Sequence, residues 1–211
     1  MASDDWFRNT DWSDSIERAF FAKLARARNK SQYLRVQACT IAHKQPEVAL
    51  KLLDDYFSLE DRLFDAQAHV DRATALLSLG RLEEALKSYE EALAVEERRP
   101  NVLTGAYILY PFTVAVRDVK DRFERAALLL QHHQTRLTFP VERFQWHAAQ
   151  ALIAADQGRA NDASTHARRA LDEAARDHSA FRNHPGIGLV GTAYGELKER
   201  LALLSHVVKT V

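Results

Sequence analysis

The chain has 211 residues, 46% apolar and 27% charged, enough to bury a continuous core and too apolar for a disordered chain. Twenty-nine Lys and Arg balance 29 Asp and Glu, so the overall charge gives no reason to expect nucleic acid or an anionic membrane as partner. Seven Gly and five Pro are too few for the frequent turns of an all-β fold and suit long helices with short connections.

The amino terminus, Met1 to Arg8, is acidic and lacks the basic start and apolar run of a signal peptide. Together with a lone cysteine, Cys39, which excludes an internal disulfide framework, this sets the expectation of a cytoplasmic address. Ser13 is placed to cap a helix running to about Arg28, with Ile16, Phe20 and Leu24 at four-residue steps and Phe21 beside them. Trp6, Phe7 and Trp12 precede it. From Arg18 to Lys51 the single acid is Glu47, among eight Lys or Arg, whereas Leu52 to Arg99 carries twelve acids against six bases. The basic helices and the aromatic residues ahead of them would suit RNA or an acidic lipid surface. An acidic peptide, or the acidic stretch of a second copy in a homo-oligomer, would suit them equally.

The clearest periodic unit is Ala66 to Glu97. After a turn at Gly80, residues Leu82, Ala85, Leu86, Tyr89, Ala92 and Leu93 recur at helical spacing with charges between them. Three further segments place a small residue in the same position, so that Ala49, Ala85, Ala126 and Ala163 follow one another at 36, 41 and 37 residues. Gln67-Ala68-His69 and Gln145-Trp146-His147 repeat 78 residues apart. The charge-free stretch from Pro100 to Val116 is shorter than the roughly 20 residues that span a bilayer and predicts a buried helix. Pro111 within it is expected to kink or break that helix.

With turn glycine Gly80, small Ala85, aromatic Tyr89 and Ala92 one turn later, this unit resembles the tetratricopeptide repeat. Its first helix departs from the family pattern, holding His69 and Leu76 at the Trp and Tyr signature positions. The resemblance spans roughly residues 31–177, about four repeats. It implies an all-α fold, a right-handed α–α solenoid of antiparallel helix pairs forming a single domain over residues 1–211. Residues 1–30 would supply an amino-terminal segment and capping helix. Residues 178–211 would supply a loop and a closing helix, with Leu197, Leu201 and Leu204 on one stripe between Gly195 and Val208.

Proteins of this family hold peptides or partner domains on a concave surface lined by the first helices of the repeats. Projecting those groove positions nominates Gln32, Arg35, Cys39 and His43 in copy one, Gln67, Thr74 and Ser78 in copy two, and Gln145 and Asp156 in copy four. The set is mostly uncharged and polar, unlike the basic clamp that grips a terminal carboxylate. The expected function is a non-catalytic protein–protein interaction scaffold with a protein or peptide partner and no cofactor, metal or catalytic residue. One alternative is a nucleic-acid-associated protein using the basic amino-terminal helices. The other is a small metal-binding or enzymatic protein using Cys39 and His43, which share a helix face at i,i+4.

Other chemistry-bearing patterns are weaker. Gly186-Ile187-Gly188-Leu189-Val190-Gly191 fits a dinucleotide-binding pattern but lacks the strand and βαβ unit that give the pattern its meaning. His132 and His133 diverge on a helix by about 100° and are poorly placed to share an ion. The acid pairs Asp54-Asp55, Glu83-Glu84 and Glu90-Glu91 are read as polar faces of amphipathic helices, and Ser205-His206 has no acid arranged around it.

Overall fold

A computed structural model describes residues 5–60 and 63–206. Their regular structure is helical throughout, with no strand among the described residues. The chain divides into two compact units, Met1–Ala106 and Tyr107–Val211.

The first unit holds α1 (Asp14–Arg26), α2 (Lys30–Ile41), α3 (Pro46–Phe57), α4 (Asp65–Ser78) and α5 (Leu82–Arg98), each packed on the next. Ser13 accepts a hydrogen bond from the Ile16 amide, and α1 carries Asp14 and Glu17 in its first turn and Lys23 and Arg26 in its last, matching the helix dipole at both ends. The aromatic residues ahead of it are packing residues. Trp6 lies 5.3 Å from Phe20 and 4.9 Å from Tyr33 between ring centroids, and Trp12 lies 5.5 Å from Phe20. The face of α1 bearing Phe20 needs an apolar cover, and they supply it. Asn9 anchors the same segment, its backbone and side-chain amides donating to Gln37 Oε1 while Gln37 Nε2 donates back to the Asn9 carbonyl. Gln37 is fully buried, so this pairing satisfies an amide that would otherwise destabilise the core.

The second unit contains α6 (Ala106–Val116), whose start marks the boundary, then α7 (Phe123–His132), α8 (Pro140–Asp156), α9 (Ala160–Ala174) and α10 (Gly195–Ser205). Pro111 does not break α6, which runs through it with Tyr107, Ile108, Tyr110, Val114 and Ala115 buried. Trp146 on α8 donates its indole N–H to the Leu130 carbonyl of α7 at 2.8 Å, and Ser164 on α9 donates to the Ser205 carbonyl of α10 at 2.9 Å. The last residues of the expected closing helix, 207 and 208, lie outside the described residues.

One turn occurs three times. After α4 the Arg81 amide donates to the Leu76 carbonyl and the Gly80 amide to Leu77. After α8 the Arg159 amide donates to Ala154 and the Gly158 amide to Ala155. After α6 the Val119 amide donates to Val114 and the Asp118 amide to Ala115. This is the Schellman closure, with a residue of positive φ at its hinge: Gly80 at 73°, Gly158 at 71° and Asp118 at 57°. Each turn leads into a helix that carries one of the phased alanines. Ala49, Ala85 and Ala126 have no solvent exposure and Ala163 has 2%. Three residues of the long 41-residue interval form a 3-10 turn at Lys120–Arg122, which follows the Asp118 closure and delays the start of α7. Among the described residues no helix is long and apolar enough to cross a membrane.

Candidate functional site: the polar face of α2 and α4

In the first unit α2 and α4 share a contact built from polar side chains. Its centre is Asp71, which lies outside the set nominated from groove positions. Asp71 is buried, and its carboxylate accepts from Arg35 Nη1 at 2.9 Å and from Gln67 Nε2 at 2.9 Å. Burial pushes the Asp71 carboxyl above the usual range, while hydrogen bonds from Gln67, Arg35 and the Cys39 thiol pull it back. The signal that could have found it is the spacing: Arg35 and Asp71 stand 36 residues apart, the interval that separates Ala49 from Ala85. Two residues at that same interval thus carry opposite charges and meet.

Arg35 is held on a second side by the Phe64 ring, 5.6 Å from its guanidinium carbon, and its Nε is buried without a hydrogen-bond partner. Cys39 is exposed by residue area, yet its thiol turns to Asp71, and desolvation followed by the Asp71 charge pushes its pKa up to about 11. The thiol is therefore protonated at neutral pH. A nucleophile or thiolate ligand needs the opposite shift. His43 makes its contact elsewhere, with Nδ1 3.3 Å from Ser78 Oγ on α4. Cys39 and His43 thus turn to different partners, Asp71 and Ser78. Among the described residues no group of three His, Cys, Asp or Glu is placed to hold a metal ion.

The remaining nominated residues divide. Gln32 is half-buried near the start of α2, three residues before Arg35. Thr74 and Ser78 donate back to the carbonyls of Val70 and Thr74 at 3.1 Å each, which fixes their hydroxyls along the same edge of α4. Gln145 and Asp156 belong to the second unit. Gln145 is buried, and its amide donates to the Tyr194 hydroxyl at 2.9 Å, making it a packing residue beneath the short turn Thr192–Tyr194 rather than a groove residue. Asp156 is exposed at the end of α8, in an ion pair with Lys120. The glycine-rich segment forms turns, with the Gly188 carbonyl accepting from the Val141 amide at the start of α8, and has no strand before it.

No family model matches the chain, and neither a curated protein nor a solved structure is significantly similar to it.

Proposed function

We propose that this protein is a tetratricopeptide-like helical-repeat scaffold, non-catalytic and cytoplasmic, that holds a peptide or partner-protein segment against the polar face of α2 and α4. The observation that carries the reading is the recurrence of one turn, at Gly80, Asp118 and Gly158, each ahead of a helix whose phased alanine is buried. A chain that repeats a helix pair in this way gains surface of one kind, lined by its first helices. On that surface Gln32, His43, Thr74 and Ser78 offer amide, imidazole and hydroxyl groups, which suit a peptide backbone and uncharged polar side chains. Arg35, pinned by Asp71 and Phe64, offers a guanidinium that loses little freedom on binding.

The test is capture from the source cell's lysate with the intact protein, comparing wild type, Gln32→Glu, Thr74→Glu and, on the exposed side of α5, Lys87→Glu. Partners lost with the first two and kept with Lys87→Glu, with or without nuclease, would support the reading. The reverse pattern would place binding elsewhere, and partners lost to nuclease would favour the basic amino-terminal helices.

A further inference from the structure

His147 on α8 and His166 on α9 meet across the helix pair. Their Nδ1 atoms are 3.0 Å apart, with ring centroids at 5.2 Å and an interplanar angle of 40°. Both rings are half-buried, so solvent reaches the pair from one side. Two imidazole nitrogens at this distance can share a proton, one donating N–H to the other. They can also turn both lone pairs on one cation. With metal–nitrogen bonds of about 2.0–2.1 Å, nitrogens at this separation subtend roughly 94° at the ion. That is close to the right angle of tetragonal coordination, the arrangement Cu2+ and Ni2+ adopt with nitrogen and oxygen donors, and narrower than the tetrahedral angle of structural zinc.

We propose that His147 and His166 form a two-point site for a tetragonal divalent transition-metal cation, Cu2+ or Ni2+, bound through both Nδ1 atoms with water in the remaining positions. The rings arrive in the right protonation state. Desolvation first, then His166, Arg169 and Arg143, lower the His147 pKa to about 4, and desolvation with Arg169 and Arg159 lowers that of His166 against the opposing pull of Asp162. Both are neutral ligands at pH 7. On binding, the ring that had donated its Nδ1–H carries that proton on Nε2 instead, so no net proton is released.

The surrounding charge moderates the affinity. Glu173 is shared between Arg143 at 3.0 Å and Arg176 at 2.8 Å, and Asp162 lies 2.7 Å from Arg159, while Arg169 adds a cation that opposes the ion. With no third His, Cys, Asp or Glu grouped with the pair among the described residues, the site has two protein ligands and binds more weakly than a closed structural site.

The experiment titrates the intact protein with copper sulfate and, separately, nickel chloride in a non-chelating buffer, following heat and tryptophan emission. Trp146 lies 4.8 Å from His147 and 5.4 Å from His166 between ring centroids, so bound Cu2+ quenches it. One ion per chain is expected. His147→Gln or His166→Gln should each weaken binding about tenfold or more, at least the scale of losing an outer-shell partner. The control His132→Gln/His133→Gln should leave binding unchanged. Unchanged affinity in both single variants, or loss in the control, would overturn the site. Electron paramagnetic resonance of the wild type with Cu2+ is independent of any variant's folding: two equatorial imidazole nitrogens are expected, and their absence would overturn the proposal.

Discussion

Arg35 and Asp71 stand 36 residues apart in sequence and 2.9 Å apart in space, an ion pair between α2 and α4. Their side chains are 17% and 4% exposed, so the pair lies in a medium where its attraction and its desolvation are both large. Removing one partner leaves the other charge buried, and Arg35→Met should destabilise the protein by about 3 kcal/mol. Asp71→Leu alone should cost a similar amount. The double variant Arg35→Met/Asp71→Leu should recover most of the loss, because two apolar groups of similar volume need no partner. Urea denaturation of the three variants measures the coupling, and additive losses would show that the two charges do not stabilise one another.

Cys39 should be a slow thiol. With its pKa at about 11, raised by desolvation and then by the Asp71 charge, its thiolate fraction at pH 8 should be about 100-fold below that of the same thiol unperturbed at 9.0. Alkylation by iodoacetamide should therefore be faster in urea than in buffer, and faster in Asp71→Asn than in wild type. Because the folded pKa is raised, Cys39 contributes stability that is fully present below about pH 9 and lost as pH rises towards 11. Cys39→Ala should flatten that part of the alkaline stability profile.

The three closing turns differ in one residue that matters. Gly80 and Gly158 hold φ near 70° without strain, whereas Asp118 adopts 57° with a side chain attached. Gly80→Ala and Gly158→Ala should each lower stability by about 1 kcal/mol, and Asp118→Gly should raise it by a few tenths to 1 kcal/mol. Thermal melts of the three variants supply the comparison; a stabilising Gly80→Ala would contradict the shared closure.

The phased alanines sit at fully buried positions. Ala85→Asp and Ala163→Asp should each be severely destabilising, about 3 kcal/mol or more, since each puts an unpaired carboxylate where no water reaches. Ala85→Ser should be much milder. A melting temperature unmoved by Ala85→Asp would remove the basis for treating these residues as repeat positions.

The helices were legible in the sequence because their apolar spacing is local: Leu82, Ala85, Leu86, Tyr89, Ala92 and Leu93 announce one face of α5, and Ser13 announces the start of α1. The glycine turns were legible for the same reason. The closure at Asp118 was not, because aspartate tolerates positive φ without being a marker for it. Asp71 is hidden among Ala68, Val70 and Ala73, where an acid reads as part of a polar face until the residue opposite is known, and that residue lies 36 residues away. Register alone nominates Gln145. Tyr194, which occupies its amide, follows a segment with no periodicity to place it. Trp6 and Trp12 suggested a ligand surface because the apolar face of α1 they cover is a tertiary feature.

The most direct test of a partner-holding face on α2 and α4 is photo-crosslinking. A benzophenone amino acid is placed singly at Gln32, at Thr74 and, on the exposed surface of α5, at Glu91, and the intact protein is irradiated in lysate. Adducts to the same protein partner from Gln32 and Thr74, with none from Glu91, are the expected result; adducts from Glu91 alone would contradict the assignment of this face.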